Sequence, residues 1–273
     1  VHGTASSPAR WAEMFNELQN DPVIRQHYQF WFFIYETGNP ILYSALRLRE
    51  SLETALAEID PHGQDPALRK MVIVGHSQGG LLTKLMVVEL EDKVRAFFPA
   101  PVGELQVSPE FRDLLNRVAE IHPLPFVRQV IFMATPHRGS YVAGSWLAQQ
   151  LARFVRLPGE LLRFTGDLLR EDPRLAVALT GRVGSVYAMT PGSPLVTALG
   201  PAPLAPGVIG HSIIAVNGDG PVEEGSDGVV KYTSAHIDGV ESELVVRSGH
   251  SVQSTPEAIE EVRRILLENV EAR

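Results

Sequence analysis

The chain contains no cysteine, so none of its 273 residues can form a disulfide or supply a thiolate to a metal. That absence leaves the compartment open, because exported proteins need not carry cysteine. Positive charge is also short: 24 Lys and Arg stand against 32 Asp and Glu, a net charge of -8. A nucleic-acid binder, or a protein captured electrostatically by anionic lipid, would need a basic surface, so both classes are disfavoured. No apolar run approaches the ~18 residues of a membrane span, and no signal-peptide pattern is visible. Internal repeats and low-complexity tracts are missing too. What remains, at 44% hydrophobic residues, is chain enough for one sizeable domain with a large core.

The most informative stretch runs from Val72 to Leu82. Val72-Ile73-Val74 is a short β-branched run of the kind that forms a buried strand, and Leu81, Leu82, Leu85, Val88 and Glu89 continue at helical spacing to about Leu90. Between them, Gly75-His76-Ser77-Gln78-Gly79 fits G-x-S-x-G, the sharp strand-to-helix turn known as a nucleophile elbow. Glycine on each flank admits the close approach of strand and helix, and the turn holds Ser77 in a strained conformation. Ser77 Oγ then projects from the top of a sheet beside the outward-pointing amides of a helix N-terminus. A chance match in a glycine-rich turn is the competing reading, and the strand before and helix after argue against it.

Along the rest of the chain, strands alternate with helices. Ser7-Pro8 opens a helix with Trp11, Met14, Phe15 and Leu18 on one stripe. Tyr28 to Tyr35 is continuous and aromatic, which predicts a strand covered on both faces. A helix follows over Ile41 to Ile59, a strand over Lys70 to Val74, a helix near Ser108 to Ile121, and a strand over Gln129 to Ala134. Ser212 to Val216 and Glu243 to Arg247 are the last strands, and Pro256 to Glu271 the last helix. Such alternation predicts an α/β doubly wound, mostly parallel sheet. The stretch 141–208 is too long for an ordinary crossover. Its stripes Leu147, Leu151, Phe154, Val155 and Leu161, Leu162, Leu168, Leu169 fit either core packing or an inserted helical cap. The expected division is therefore a core of 1–140 with 209–273 and a cap of 141–208, roofing Ser77 with Trp146 and its neighbours.

A serine nucleophile needs an imidazole to take its proton and a carboxylate to orient that imidazole, following it in the order acid, then histidine. Of 9 histidines, His250 lies in the loop after the last strand, at the same sheet edge as the elbow; His236 is its rival. Asp227 in Ser226-Asp227-Gly228-Val229-Val230 and Asp219 in Asn217-Gly218-Asp219-Gly220 both follow the same strand, and spacing does not choose between them.

Taken together, the early His2-Gly3, Gly-His-Ser-Gln-Gly-Gly, Thr135-Pro136-His137-Arg138-Gly139-Ser140, Ser-Asp-Gly-Val-Val and the late Gly249-His250 resemble bacterial lipases and carboxylesterases of the α/β-hydrolase superfamily, including the lipase-like branch with inositol deacylases of glycolipid anchors. The resemblance implies an α/β-hydrolase fold, with Ser77 as nucleophile, Asp227 as acid and His250 as base, and it is what sets Asp227 above Asp219. It also implies backbone oxyanion donors at Thr4 and Gln78, with His2, Gly3, His76 and Trp146 near the substrate. Many secreted lipases of this kind place an aspartate just after the histidine to help hold calcium. Val252 and Gln253 stand there instead, so no metal or other cofactor is expected. In such folds an apolar strand leads into the His-Gly loop. Only Val1 precedes His2, and a short apolar strand is therefore expected directly upstream, between Tyr28–Tyr35 and Lys70–Val74.

The expected activity is hydrolysis of short-to-medium acyl esters, extending to lipids or polyesters, with no nucleic-acid partner and no membrane span. A thioesterase, acyltransferase or amidase on the same triad is the second reading, and a non-catalytic binding module the third. Turnover of a p-nitrophenyl ester separates the third from the others, and comparison of esters, thioesters and amides separates the rest. A histidine base also implies that activity falls on acidification.

Overall fold

The computed structural model describes residues 1–98, 100–140 and 185–271. Its centre is a sheet of β1 (Met71–His76), β2 (Val127–Met133), β3 (Ile209–Ala215) and β4 (Ser242–Val246), hydrogen-bonded in that order. All three pairings are parallel, with Ile73 opposite Val130, Phe132 opposite Ser212, and Ile213 opposite Leu244. The inner strands β2 and β3 are buried along their length except at Arg128 and Ile209, so both faces are covered there, while β1 and β4 at the edges are only partly buried.

Alternation along the strands divides the core in two. Ile73, Val130 and Phe132 join one cluster with Ile41, Ala45 and Leu48 of helix α1 (Ile41–Ile59) and Leu81, Leu82 and Leu85 of helix α2 (Gln78–Leu85). Ile131, Met133, Ile213 and Ala215 point the other way, onto Trp11, Met14 and Leu18 and onto Val262, Ile265 and Leu266 of helix α3 (Pro256–Glu271). The spacing Ile41, Ala45, Leu48 is a helical stripe, and α1 stops at Asp60, before Pro61. α3 starts where Thr255 Oγ1 accepts from the Ala258 amide and Pro256 fills a first-turn position that needs no N–H partner. Both helices occupy the spans expected of them.

Several local expectations need correction. Ser7 makes no side-chain cap; Pro8–Trp11 is a 3-10 turn, and the α-helix spans Ala12–Asn20. α2 ends at Leu85 rather than near Leu90, and all of Gln78–Leu85 is buried, Lys84 included. The sheet clamps it on one side and the stretch after Ser185 on another: Lys84 Nζ donates to Gly200 O at 2.9 Å and Ala205 N to Val87 O at 2.8 Å. Of the expected cap, only 185–208 is described. Ala188, Met189, Leu195, Leu199 and Ala202 from it lie in the cluster around α2.

The largest departure is at Tyr28–Tyr35, which takes no strand assignment; Trp31, Phe32 and Ile34 are exposed. Its residues line a slot of about 430 Å³ whose opposite wall is Met71–Val74 of β1. Val1 closes one end of the slot, its N–H group donating to Val74 O at 2.7 Å and its carbonyl accepting from His76 N at 3.1 Å. That is the bonding of a residue in a parallel ladder. No helix among the described residues is long and apolar enough to cross a membrane.

Candidate active site

Parallel strands deliver their following loops to one edge of the sheet, and three of those loops converge. Ser77 comes directly after β1, Asp227 from the loop after β3, and His250 from the loop after β4. His250 Nε2 lies 2.8 Å from Ser77 Oγ, and His250 Nδ1 lies 2.7 Å from Asp227 Oδ2. An ionised carboxylate can only accept, so Nδ1–H donates to Asp227, and Nε2 is left to accept from the Ser77 hydroxyl.

Ser77 holds φ 54° and ψ -123°, where an L side chain is strained. Its amide donates to Met133 O at 2.8 Å, which fixes the turn to β2. The flanks leave no room for side chains. A Cβ on Gly75 would stand 2.6 Å from Gly79 O, and one on Gly79 2.6 Å from His2 O. Gly3 passes so near that a Cβ there would meet Ser77 Cβ at 2.8 Å.

Asp227 is buried, 4% exposed, and its second oxygen is fully engaged. Oδ1 accepts from Val229 N at 2.8 Å and Val230 N at 2.7 Å, a turn that Gly228 makes possible at φ 93°. Thr135–Ser140 braces this loop: Ser140 Oγ donates to Val229 O at 2.5 Å, and Ser234 Oγ donates to Gly139 O at 2.6 Å. Asp219 lies exposed in its turn. His236 is spoken for elsewhere, with Nδ1 2.7 Å from Glu243 Oε2 and Nε2 3.4 Å from Asp238 Oδ1. Asp227 and His250 are thus brought together with Ser77, whereas His236 is bonded to Glu243 and Asp219 lies in an exposed turn.

Thr4 and Gln78 are tied together, Thr4 Oγ1 donating to Gln78 Oε1 at 2.6 Å while Gln78 Nε2 donates to Thr37 O at 3.2 Å. His2 is buried with its ring stacked on Tyr35 at 4.6 Å, and Tyr35 Oη–H donates to His2 O at 2.9 Å. His76 is buried between the edge of Trp11, 6.5 Å away, and the His250 ring, 4.9 Å away. Its Nε2–H donates to the His250 carbonyl at 2.7 Å. Burial, and next the charge of His250, push the His76 pKa down to about 3. Trp146 lies outside the described residues. Among those residues, no group of three or more His, Asp or Glu side chains is placed to hold a metal.

Sequence reasoning missed three features of this neighbourhood. One is the His76 bond to the histidine loop. Another is the Thr4–Gln78–Thr37 chain. The third is buried Lys84, whose pKa desolvation lowers to about 7, with the charge of Arg138 adding to the shift. Beside it sits His137, buried against the edge of Phe132 and held well below the ordinary histidine range by the same desolvation. Only the Thr-Pro-His-Arg-Gly-Ser string hinted at this cluster, and a linear string says nothing of contacts across the fold.

No protein-family model matches the sequence, and comparison with curated proteins finds no match. Solved structures do match. The lipase of Staphylococcus hyicus superposes with a TM-score of 0.59 at 13% identity, over 99% of this chain and 93% of that one. EstA of Clostridium botulinum gives 0.56 at 12%, over 98% and 86%. The Bacillus licheniformis lipase BlEst2 in its propeptide form gives 0.52 at 16%, and there 98% of this chain spans 49% of the other. With the parallel sheet and its flanking helices, these likenesses establish an α/β-hydrolase fold.

Proposed function

We propose that this α/β-hydrolase is a serine carboxylester hydrolase acting through an acyl-enzyme, with Ser77 as nucleophile, His250 as general base and then acid, and Asp227 as the orienting carboxylate. The observation that carries the reading is the line of two hydrogen bonds, 2.8 and 2.7 Å, from Ser77 Oγ through both nitrogens of His250 to Asp227. A buried serine held at φ 54° against an imidazole has no packing rationale, because the strain costs stability. The lipases that share the fold favour the same chemistry without determining it.

In the first step Ser77 Oγ bonds to the ester carbonyl carbon as its proton passes to His250 Nε2, and the carbonyl π electrons move to oxygen. The backbone amides of Thr4 and Gln78 are the proposed donors to that oxyanion, and their side chains are joined by the bond from Thr4 Oγ1–H to Gln78 Oε1. Each such donor contributes ~3–4 kcal/mol to transition-state binding. Collapse breaks the bond to the leaving alkoxide, which takes the proton from His250 Nε2. Water then repeats the sequence on the acyl-enzyme and releases the acid. Asp227 stays ionised throughout, holding Nδ1–H and stabilising the imidazolium.

The test is Ser77→Ala against p-nitrophenyl acetate and butyrate. Loss of at least ~10³-fold in kcat/KM, with loss of labelling by a fluorophosphonate, is expected for a triad member. Retention of wild-type turnover in folded Ser77→Ala would remove the whole reading. A series from acetyl to palmitoyl esters then fixes the acyl preference.

A further inference from the structure

We infer that His76 is a positioning residue: its Nε2–H, bonded to the His250 carbonyl at 2.7 Å, ties the loop that carries the base to the strand end that carries Ser77. The inference rests on the ester-hydrolase reading and assigns His76 a task other than substrate contact. Two loops bring the reacting groups together, and they come from strands that are not neighbours: Ser77 follows β1 and His250 follows β4, at opposite edges of the four-stranded order. Sheet hydrogen bonds therefore do not fix one against the other. On its own side, the His250 loop is held by Ser248 N donating to Val216 O at 3.2 Å. Across the site, the bond from His76 joins its backbone to the elbow itself.

The chemistry of this tether constrains residue 76. A carbonyl only accepts, so Nε2 must carry the proton. His76 is walled in by Trp11 and the His250 ring, where a second positive charge would oppose the imidazolium formed during acyl transfer. Burial keeps the ring neutral at working pH, so the tether donates its hydrogen bond without adding charge beside the base. A misplacement of about 1 Å between reacting groups costs on the order of 10²-fold in rate. Loss of the tether therefore acts on kcat and leaves ground-state ester binding largely intact.

The experiment compares His76→Gln, which keeps an N–H donor at similar reach, with His76→Met, of similar length and no donor, and with His76→Phe. Wild type and Ser77→Ala run beside them on p-nitrophenyl butyrate, with melting temperature as the check on folding. We expect His76→Met and His76→Phe to lose about 10–100-fold in kcat with KM within about threefold, in line with the cost of misplacement. His76→Gln should recover most of that loss at equal stability. Equal kcat for Gln and Met, or a wild-type kcat for folded Met, overturns the tether while Ser77→Ala still loses activity. If Phe does not fold, the Gln-to-Met ratio decides alone. Full activity in Ser77→Ala overturns the ester-hydrolase reading itself, and the tether with it.

Discussion

Replacing Asp227 by Asn tests the acid in a way that the local hydrogen bonds make quantitative. Oδ1 is held by the Val229 and Val230 amides at 2.8 and 2.7 Å, so the Asn amide oxygen takes that place and its NH₂ group faces His250 Nδ1. Nδ1 must then accept, the proton moves to Nε2, and the ring presents N–H to Ser77 instead of a lone pair. A base in the wrong tautomer loses on the order of 10⁴ in rate, about 5.4 kcal/mol at 1.36 kcal/mol per decade. The escape is an amide flip. It would turn NH₂ toward two buried N–H donors and cost ~1–3 kcal/mol for each, ~2–6 kcal/mol together. That is about 1.5–4.4 decades, so flipped molecules set a floor and the expected loss in kcat/KM is about 30-fold to ~10⁴-fold. Initial rates on p-nitrophenyl acetate measure it, with Asp219→Asn as the control expected to stay within about twofold because Asp219 is exposed. A folded Asp227→Asn enzyme less than tenfold impaired would refute the tautomer argument, and an impaired Asp219→Asn would move the acid.

Stability should fall on acidification: folded His76 takes a proton only near pH 3, whereas the unfolded chain takes it at 6.5. Between those values the unfolded state holds more protons, so each pH unit removes ~1.4 kcal/mol for His76, and buried His137, its pKa also lowered by desolvation, acts in the same direction. Urea midpoints from pH 7 to 4 measure this, and a flat series would show that neither ring stays neutral. Gly3→Ala should cut turnover by ~10²-fold with little change in melting temperature, because its Cβ would stand 2.8 Å from Ser77 Cβ and 3.0 Å from His76 Nδ1. Unchanged kinetics would mean that the His-Gly loop gives way freely. The slot beside β1 is proposed as the place of one more parallel strand: a chain extended at Val1 by six β-branched or apolar residues, the length of β1, should melt several degrees higher. An extension that leaves the melting temperature unchanged would refute that use of the slot.

The four strands, the helices Ile41–Ile59 and Pro256–Glu271 and the turn at Ser77 were legible because each leaves a local trace. Val72–Val74 is β-branched, Gly75 and Gly79 mark the turn, and Ile41–Ile59 repeats at helical spacing. What the sequence could not convey depends on neighbours. Tyr28–Tyr35 has the composition of a strand and yet takes no strand assignment, because composition does not specify a ladder partner. Lys84 sits at a position that reads as a solvated face until the stretch after Ser185 covers it. Asp227 and Asp219 are equivalent on spacing; the resemblance alone favours Asp227 in the sequence, and the paired amides of Val229 and Val230 and the contact with His250 are visible only in the fold. The bond from His76 to the His250 carbonyl joins residues 174 positions apart and leaves no pattern in the string.

The positive φ of Ser77 has a consequence for how this protein responds to selection. A side chain held there costs on the order of 1–3 kcal/mol, and glycine adopts the same angles without that penalty. Under selection for heat resistance alone, position 77 is therefore pulled toward glycine, the substitution that deletes the hydroxyl. Libraries screened only by melting or by soluble yield will enrich inactive molecules at this codon, and the enrichment itself reports how much strain the turn holds. A screen that couples survival to ester turnover pulls the other way, so the two pressures meet at one residue and can be read from its frequency.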